Sequence, residues 1–315
     1  MKHSKLSAEF IKSLIEDENP IHTVGNELVE IWLKASRENN NIGEFYYKGE
    51  EEAKSFEEFI LKVYGEFYRI LARECINEPS IFQKYGDASF IVMDGMSFRE
   101  GVLVYNTLKS EGYETRLNFG FSAIPSETLE FRDKMGVSMS NFKEINNPEN
   151  IRLGGDEKFL WSQFPDVMLD KIQVGRTVIS SLEKMYETTA KIVEDLVDKL
   201  KSDKIIILSD HGYIRSEAGF VFTVGERAKR RLQDVFGSKR YIAMNDVEVK
   251  DLIRGGYVEE FGGYYLVKSR YIWPVRGRYS IYIHGGLSLM ECFTPVIELM
   301  KKNEKSYGKR GYNLS

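Results

Sequence analysis

Two apolar runs in this chain end in residues that could bind a metal. Ile205, Ile206, Ile207 and Leu208 lead into Ser209-Asp210-His211-Gly212, and the run from Ala88 to Met93 leads into Asp94-Gly95. Such runs read as strands buried on both faces of an α/β sheet. Ligands of these sheets bind just beyond the carboxyl ends of the strands. Two carboxylates and an imidazole delivered to that edge suit a divalent ion, and Gly212 is expected to let the backbone approach it closely. The chain has four histidines: His3, His22, His211 and His284. His3 lies in a charged opening segment, and His22 comes just after Asn19-Pro20 in an expected turn. His284 closes the strand-like stretch Tyr279 to Ile283 and precedes Gly285-Gly286. Both remaining histidines thus end strands and precede glycine.

Metal-assisted phosphoryl transfer needs oxygen and imidazole ligands around one or two divalent ions, with a nucleophile beside them. Asp94, Asp210 and His211 would form one ligand set, and His284 would serve a second ion. Asp166 and Asp170, in Phe164-Pro165-Asp166-Val167-Met168-Leu169-Asp170, stand four apart on one face of a helical turn and could converge on that ion. Read alone, they are solvated acids at a helix start. The nucleophile is expected to be a hydroxyl at a helix amino terminus. Ser126 and Thr128 in Pro125-Ser126-Glu127-Thr128 are so placed; Ser126 is the better cap, which leaves Thr128 free for chemistry. Ser97, three residues after Asp94, is a weaker candidate that also reads as a cap.

The elements that position these residues follow from periodicity. Residues up to about Gln83 read as helical, with Phe56, Phe59, Ile60, Val63, Tyr64, Phe67, Ile70 and Leu71 at steps of three and four forming a buried face. Glu38 to Gly49 reads as a loop. From Asp87 strands and helices alternate: strand 88–93, a helix from Ser97 to about Ser110, a strand near 114–119 and a helix from Pro125. A long helix from about Thr177 to Leu200 then runs into the strand ending at Asp210. This order predicts a mostly parallel sheet with helices on both faces. The expected division is a helical region over 1–86 and an α/β domain over 87–315.

Composition narrows the classes. A chain of 315 residues holds one large α/β domain with additions, or two domains. The net charge of −4 means that the protein as a whole is not drawn to nucleic acid or anionic lipid. A basic stretch does occur from Arg227 to Arg240, and Lys268, Arg270, Arg276 and Arg278 interleave with Tyr271, Trp273 and Tyr279. Basic residues mixed with aromatics can bind phosphate chains and stack bases. The acidic balance favours a solvated helix face and a β-hairpin instead. Cys75 and Cys292 are too few and too distant for a disulfide framework and fit buried thiols in a reducing cytosol. No run approaches ~18 apolar residues and the start lacks a signal-peptide core, so a cytoplasmic protein without a membrane partner is expected.

Four segments together resemble the PglZ domain of the alkaline phosphatase superfamily. They are Phe-Ile-Val-Met-Asp-Gly-Met-Ser (90–97), Ile-Pro-Ser-Glu-Thr (124–128), Ile-Ile-Ile-Leu-Ser-Asp-His-Gly-Tyr (205–213) and His-Gly-Gly-Leu-Ser-Leu-Met-Glu-Cys-Phe-Thr-Pro-Val (284–296). The resemblance implies an alkaline-phosphatase-like three-layer α/β/α sandwich with a mostly parallel central sheet and an amino-terminal helical extension. It implies two divalent ions, zinc or manganese. Asp94, Thr128, Asp210 and His211 would hold one ion and His284 the other, with Thr128 as nucleophile. Relatives carry an Asp-x-x-x-His pair for the second ion. Here the matching residues are Asp166 and Asp170, an aspartate in the histidine's place, which tilts the site toward manganese or magnesium. The implied activity is hydrolysis of phosphate esters, diesters more than monoesters, with nucleotide or oligonucleotide substrates among those of relatives. The implied setting is phage defence, with protein partners from such a system. A competing reading is a regulatory or non-catalytic metal-binding subunit of a defence complex, which Asp170 favours; the set of Asp94, Thr128, Asp210, His211 and His284 favours the enzyme. A mutase of the same superfamily is a third reading, set back by the lack of a segment large enough for a cap domain.

Overall fold

The computed structural model describes residues 8–147, 150–173, 182–245, 247–275 and 280–301. Helices α1 (Ala8–Glu16), α2 (Ile21–Glu38), α3 (Ile42–Val63) and α4 (Phe67–Asn77) form the amino-terminal region, followed by the short α5 (Ile81–Lys84). Apolar residues at helical spacing face inward: Val24, Leu28, Ile31 and Trp32 of α2, and Phe45, Ala53, Phe56 and Ile60 of α3. Most of the stretch expected as a loop at 38–49 is therefore the start of α3. The Asn41 side chain accepts from the N–H groups of Gly43 (2.8 Å) and Glu44 (3.1 Å) and so caps the helix. Burial of Phe45 and Tyr46 then outweighs the loop signal of the asparagine run. His22 likewise lies in the first turn of α2, not in a turn, because Pro20 starts that helix. His3 lies outside the described residues.

The α/β part follows with β1 (Ser89–Met93), α6 (Phe98–Ser110), β2 (Glu114–Phe121), α7 (Thr128–Lys134), β3 (Lys143–Ile145), β4 (Phe159–Ser162), α8 (Asp166–Gln173), α9 (Leu182–Lys199) and β5 (Lys204–Ser209). Two small antiparallel units come next. Strand β6 (Ile214–Arg215) pairs with β10 (Tyr282–Ile283). Strands β7 (Tyr241–Ala243), β8 (Val258–Phe261) and β9 (Tyr264–Val267) make a sheet whose own small core includes Leu232 of α10 (Glu226–Phe236) and Leu252 of α11 (Lys250–Arg254). Helix α12 (Leu289–Cys292) leads into β11 (Phe293–Met300).

The central sheet has six strands in the order β2-β11-β5-β1-β4-β3. Strand β1 runs parallel to β4 and β5, and β3 runs parallel to β4, whereas β11 runs against both β5 and β2. Alternation along β1 divides two cores. Ile91 and Met93 pack with Val104 and Leu108 of α6 and Ile192, Val193 and Leu196 of α9. Phe90 and Val92 pack on the opposite face with Phe82 of α5 and Phe131 of α7. This is the expected α/β/α sandwich with a mostly parallel sheet. The expected long helix is seen as α9; residues 177–181 at its start lie outside the described residues. Among the described residues no helix is long and apolar enough to cross a membrane.

The amino-terminal helices share charge as well as core with this sandwich. Glu50 of α3 accepts from Arg99 of α6 at 2.6 Å and from Arg270 at 2.5 Å, and Arg270 also donates to Glu57 of α3 at 2.8 Å. All four side chains are fully buried. Arg240 is buried too, paired with Glu291 at 2.8 Å. Part of the basic stretch expected on the surface is thus internal, because these guanidiniums find carboxylates far away in sequence. Arg276, Arg278 and Tyr279 lie outside the described residues.

Candidate metal centre

Strands β1 and β5 are neighbours in register, with Met93 opposite Ser209. The residues that follow them, Asp94 and Asp210, must therefore emerge side by side. Ser209 Oγ donates to the carbonyls of Met93 (2.9 Å) and His211 (2.8 Å), tying the two strand ends together. Asp210 Oδ1 accepts the N–H groups of Gly95 (3.0 Å) and His211 (2.9 Å), which leaves Oδ2 facing the site. Trp161 Nε1 donates to Asp94 Oδ2 at 3.3 Å and leaves its Oδ1 free to face the same point.

Thr128 Oγ1 lies at that point. It is 2.7 Å from Asp210 Oδ2, 3.2 Å from Asp94 Oδ1 and 3.3 Å from His211 Nε2. His211 Nδ1 sits 3.0 Å from the Gly212 carbonyl, so the neutral ring keeps its proton there and turns the Nε2 lone pair toward Thr128, as a metal ligand would. One hydroxyl proton cannot serve three acceptors. The donor atoms of Asp94, Asp210 and His211 all fall within 4.8 Å of one another, an oxygen-and-imidazole set that fits a divalent cation. Electrostatics agree: burial and the Asp210 carboxylate push Asp94 up to about 8. Burial alone would pull His211 down, but Asp210, Asp94 and Asp166 carry it up to about 9.

The other expected ligands gather beside this set to different degrees. The His284 ring stacks on His211, with centroids 4.2 Å apart and planes 16° from parallel. It arrives from β10, outside the central sheet, and not from a strand of that sheet. Asp166 starts α8, and its N–H donates to the Asp94 carbonyl at 3.1 Å. Gly95 has φ +71, and a Cβ there would stand 3.2 Å from Asp166 Cβ, so the Asp94-Gly95 turn requires glycine. Asp170 follows on α8; its side chain lies outside the described residues.

Two expectations need correction, and Ser97 is the cap it was also read as. Ser126 does not cap α7: the cap position is Glu127, without a side-chain bond. Ser126 Oγ instead donates to the Gly286 carbonyl (2.9 Å) and accepts from the Gly285 N–H (3.0 Å), holding the His284 loop against the site. Ser97 caps α6 in a capping box with Glu100, its buried hydroxyl committed to Glu100 Oε2 at 2.6 Å. Gly212 serves packing and not metal approach, since a Cβ there would lie 2.1 Å from the Met290 carbonyl. One site residue was missed. Glu127 Oε1 lies 3.5 Å from His284 Nδ1, and burial holds its carboxyl above the usual range against the pull of His284 and His211. Its place between Ser126 and Thr128 was the available signal.

Ser126→Ala should lower the unfolding free energy by about 1–3 kcal/mol, because it leaves the buried Gly285 N–H unsatisfied and the Gly286 carbonyl with only the Cys292 thiol at 3.7 Å. Urea denaturation checks this, and a loss below about 0.5 kcal/mol would show that the loop is held by other contacts.

Residues 155–299 match the family model described as the BREX system PglZ alkaline phosphatase-like domain. Over this segment the chain is similar to PglZ domains. The match includes Asp166, Asp210, His211 and His284, while Asp94 and Thr128 lie upstream of it. Among curated relatives, the alkaline phosphatase-like protein PglZ of Bacillus cereus (strain H3081.97) is 21% identical over 230 residues, covering 70% of this chain and 26% of that protein. The chain thus spans about a quarter of that relative's length. Two crystal structures of phosphonoacetate hydrolase from Sinorhizobium meliloti 1021 are also similar. The complex with phosphonoformate is 14% identical with a TM-score of 0.25, and that with phosphonoacetate is 13% identical with a TM-score of 0.24. Each comparison covers 44% of both chains.

The centre predicts a pH-dependent response to metal. Both raised groups bind protons in the folded, metal-free protein that the unfolded chain has released. Folding stability should therefore fall as pH rises, from 3.8 through about 8 for Asp94 and from 6.5 through about 9 for His211. A divalent cation replaces those protons, so the rise in Tm on adding Mn²⁺ or Zn²⁺ should be larger near pH 8 than near pH 6. Thermal melts at the two pH values decide this; a gain that is equal at both would contradict the assigned ligands.

Proposed function

We propose that this chain is a divalent-metal-dependent phosphoric ester hydrolase, acting on diesters in preference to monoesters, with Thr128 as nucleophile. The observation that carries the reading is the Thr128 hydroxyl lying within 3.3 Å of Asp210, Asp94 and His211 together. Asp94, Asp210, His211 and Thr128 would hold one ion, and Asp166, Asp170 and His284 a second, with zinc or manganese preferred and magnesium accepted by the aspartates. Such ions, when bound, polarise phosphoryl oxygens and lower the pKa of a hydroxyl. The chain's own residues account for the rest. Asp210 Oδ2, at 2.7 Å, is the nearest acceptor for the Thr128 proton. The Gly95 and His211 N–H groups and the Trp161 indole keep both carboxylates aimed at Oγ1. Attack by Oγ1 on phosphorus breaks the bond to one alcohol, which leaves with the proton given up by Thr128, and the other ester group stays on a phosphothreonyl diester. Water then attacks phosphorus, the bond to Oγ1 breaks, one water proton restores the threonine hydroxyl, and a phosphate monoester is released. Nucleotide-derived diesters, a cytosolic setting and protein partners in phage defence complete the proposal.

A regulatory metal-binding subunit is the second reading, favoured by aspartate at position 170 where relatives have histidine. One experiment separates the two: metal analysis of purified protein alongside turnover of bis-p-nitrophenyl phosphate and p-nitrophenyl phosphate. The expected result is faster diester turnover that vanishes in EDTA and returns with Mn²⁺ or Zn²⁺. Bound metal without turnover would favour the regulatory subunit, and full activity after prolonged EDTA dialysis would remove the metal from both.

A further inference from the structure

Helices α10 and α11 face each other across an open groove of about 860 Å³ whose walls are wholly charged. Each of its acids has a basic partner in or beside the groove. Arg231 binds Asp251 at 3.1 Å and the Glu248 carbonyl at 2.7 Å, pinning the two helices together. Glu226 pairs with Lys229 at 3.3 Å and Glu248 with Lys250 at 3.7 Å. Arg227, Arg230 and Arg254 remain, all exposed, and no ion pair or hydrogen bond engages them among the described residues. Arg227 and Arg230 stand three apart on α10 and so project from one side of that helix. Three uncompensated guanidiniums around a concave surface are a local reversal of the chain's acidic balance.

We propose that this groove docks the phosphodiester backbone of a nucleic acid strand. Guanidinium forks match phosphate oxygens bidentately, which ammonium groups do not. The walls offer no apolar side chain that would seat the side chains of a peptide, and none that would insert into a lipid surface. A chain of phosphates needs neither. The readout is binding and does not depend on hydrolysis at the metal centre.

The test is fluorescence anisotropy of short fluorescein-labelled oligonucleotides with the full chain and with the triple variant R227E/R230E/R254E. Single-stranded DNA, duplex DNA and single-stranded RNA form separate arms, to distinguish the source of the backbone. The wild-type protein should bind at least one of them, and its duplex affinity should weaken by roughly 40-fold between about 50 and about 200 mM salt if three phosphates are neutralised. The triple variant should bind at least tenfold more weakly, while R37E, a charge control elsewhere on the surface, should bind like wild type. No binding to any oligonucleotide at the lower salt overturns the proposal, as does equal binding by the triple variant. Arginine-dependent binding to phosphatidylserine vesicles in place of oligonucleotides overturns it in favour of a lipid partner. Because the arginines are solvent-facing, circular dichroism of the triple variant should match wild type; a variant that unfolds would be replaced by the single variants, each expected to lose about a third of the salt slope.

Discussion

Thr128→Ala should reduce phosphate-ester turnover by about 10³-fold or more while leaving the fold and a metal site in place. The size of the effect follows from position. Among the described residues Oγ1 is the one hydroxyl that touches Asp94, Asp210 and His211 together, and neither serine neighbour can take over. Ser126 Oγ is bound to Gly285 and Gly286, and Ser97 Oγ is bound to Glu100. Metal should persist in the variant because Asp94, Asp210 and His211 still converge within 4.8 Å. Turnover assays with metal analysis on the same preparation decide the matter. Near-normal turnover in Thr128→Ala would mean that water attacks phosphorus directly. A loss confined to Ser126→Ala or Ser97→Ala would move the nucleophile to that serine.

Arg99→Met is expected to have the largest effect on stability, about 3–5 kcal/mol, enough to lower Tm by roughly 10 °C. Arg99 donates to Glu50 through Nε (2.9 Å) and Nη2 (2.6 Å), and its Nη1 reaches Ser97 Oγ (3.1 Å) and the Tyr213 carbonyl (3.0 Å). Burial pushes the Glu50 carboxyl up, but Arg99 and Arg270 outweigh it and hold Glu50 below the ordinary range. That pairing contributes stability above the ordinary carboxylate range, which is lost as pH falls. With Arg99 gone, burial gains on the remaining Arg270, so the deficit of the variant should shrink toward acid pH. Tyr213 lies three residues beyond Asp210, so the folded variant should also bind metal more weakly. A double-mutant cycle with Glu50→Gln isolates the pair. A single-variant loss below about 1 kcal/mol would show that the buried pair is dispensable.

Local sequence was sufficient wherever a signal was complete within one element. The run from Ser89 to Met93 and the run from Lys204 to Ser209 carry their burial in their own composition, and each names the aspartate that follows it. Ser97 with Glu100 three residues on marks the start of α6 in the same way. Because parallel neighbours in such a sheet deliver their carboxyl ends to one edge, the meeting of Asp94, Asp210 and His211 was legible before any coordinates. The start of α3 was not, since the burial of Phe45 and Tyr46, which decides it, depends on helices elsewhere in the chain.

Tertiary structure alone decided which polar groups each site residue would meet. Ser126 has the type of a helix cap, yet the helix starts one residue later and Ser126 binds the loop at 285–286, about 160 positions away. Glu127 acquires its role only when His284 arrives from β10. Arg240 and Arg270 read as surface charge in a one-dimensional count, yet the fold buries them, as it buries Arg99, against Glu50, Glu57 and Glu291. Glu50 and Arg270 are separated by 220 positions. A buried charge is tolerable only beside its counter-charge, and the identity of that partner is set by which elements pack together, information that no local window contains.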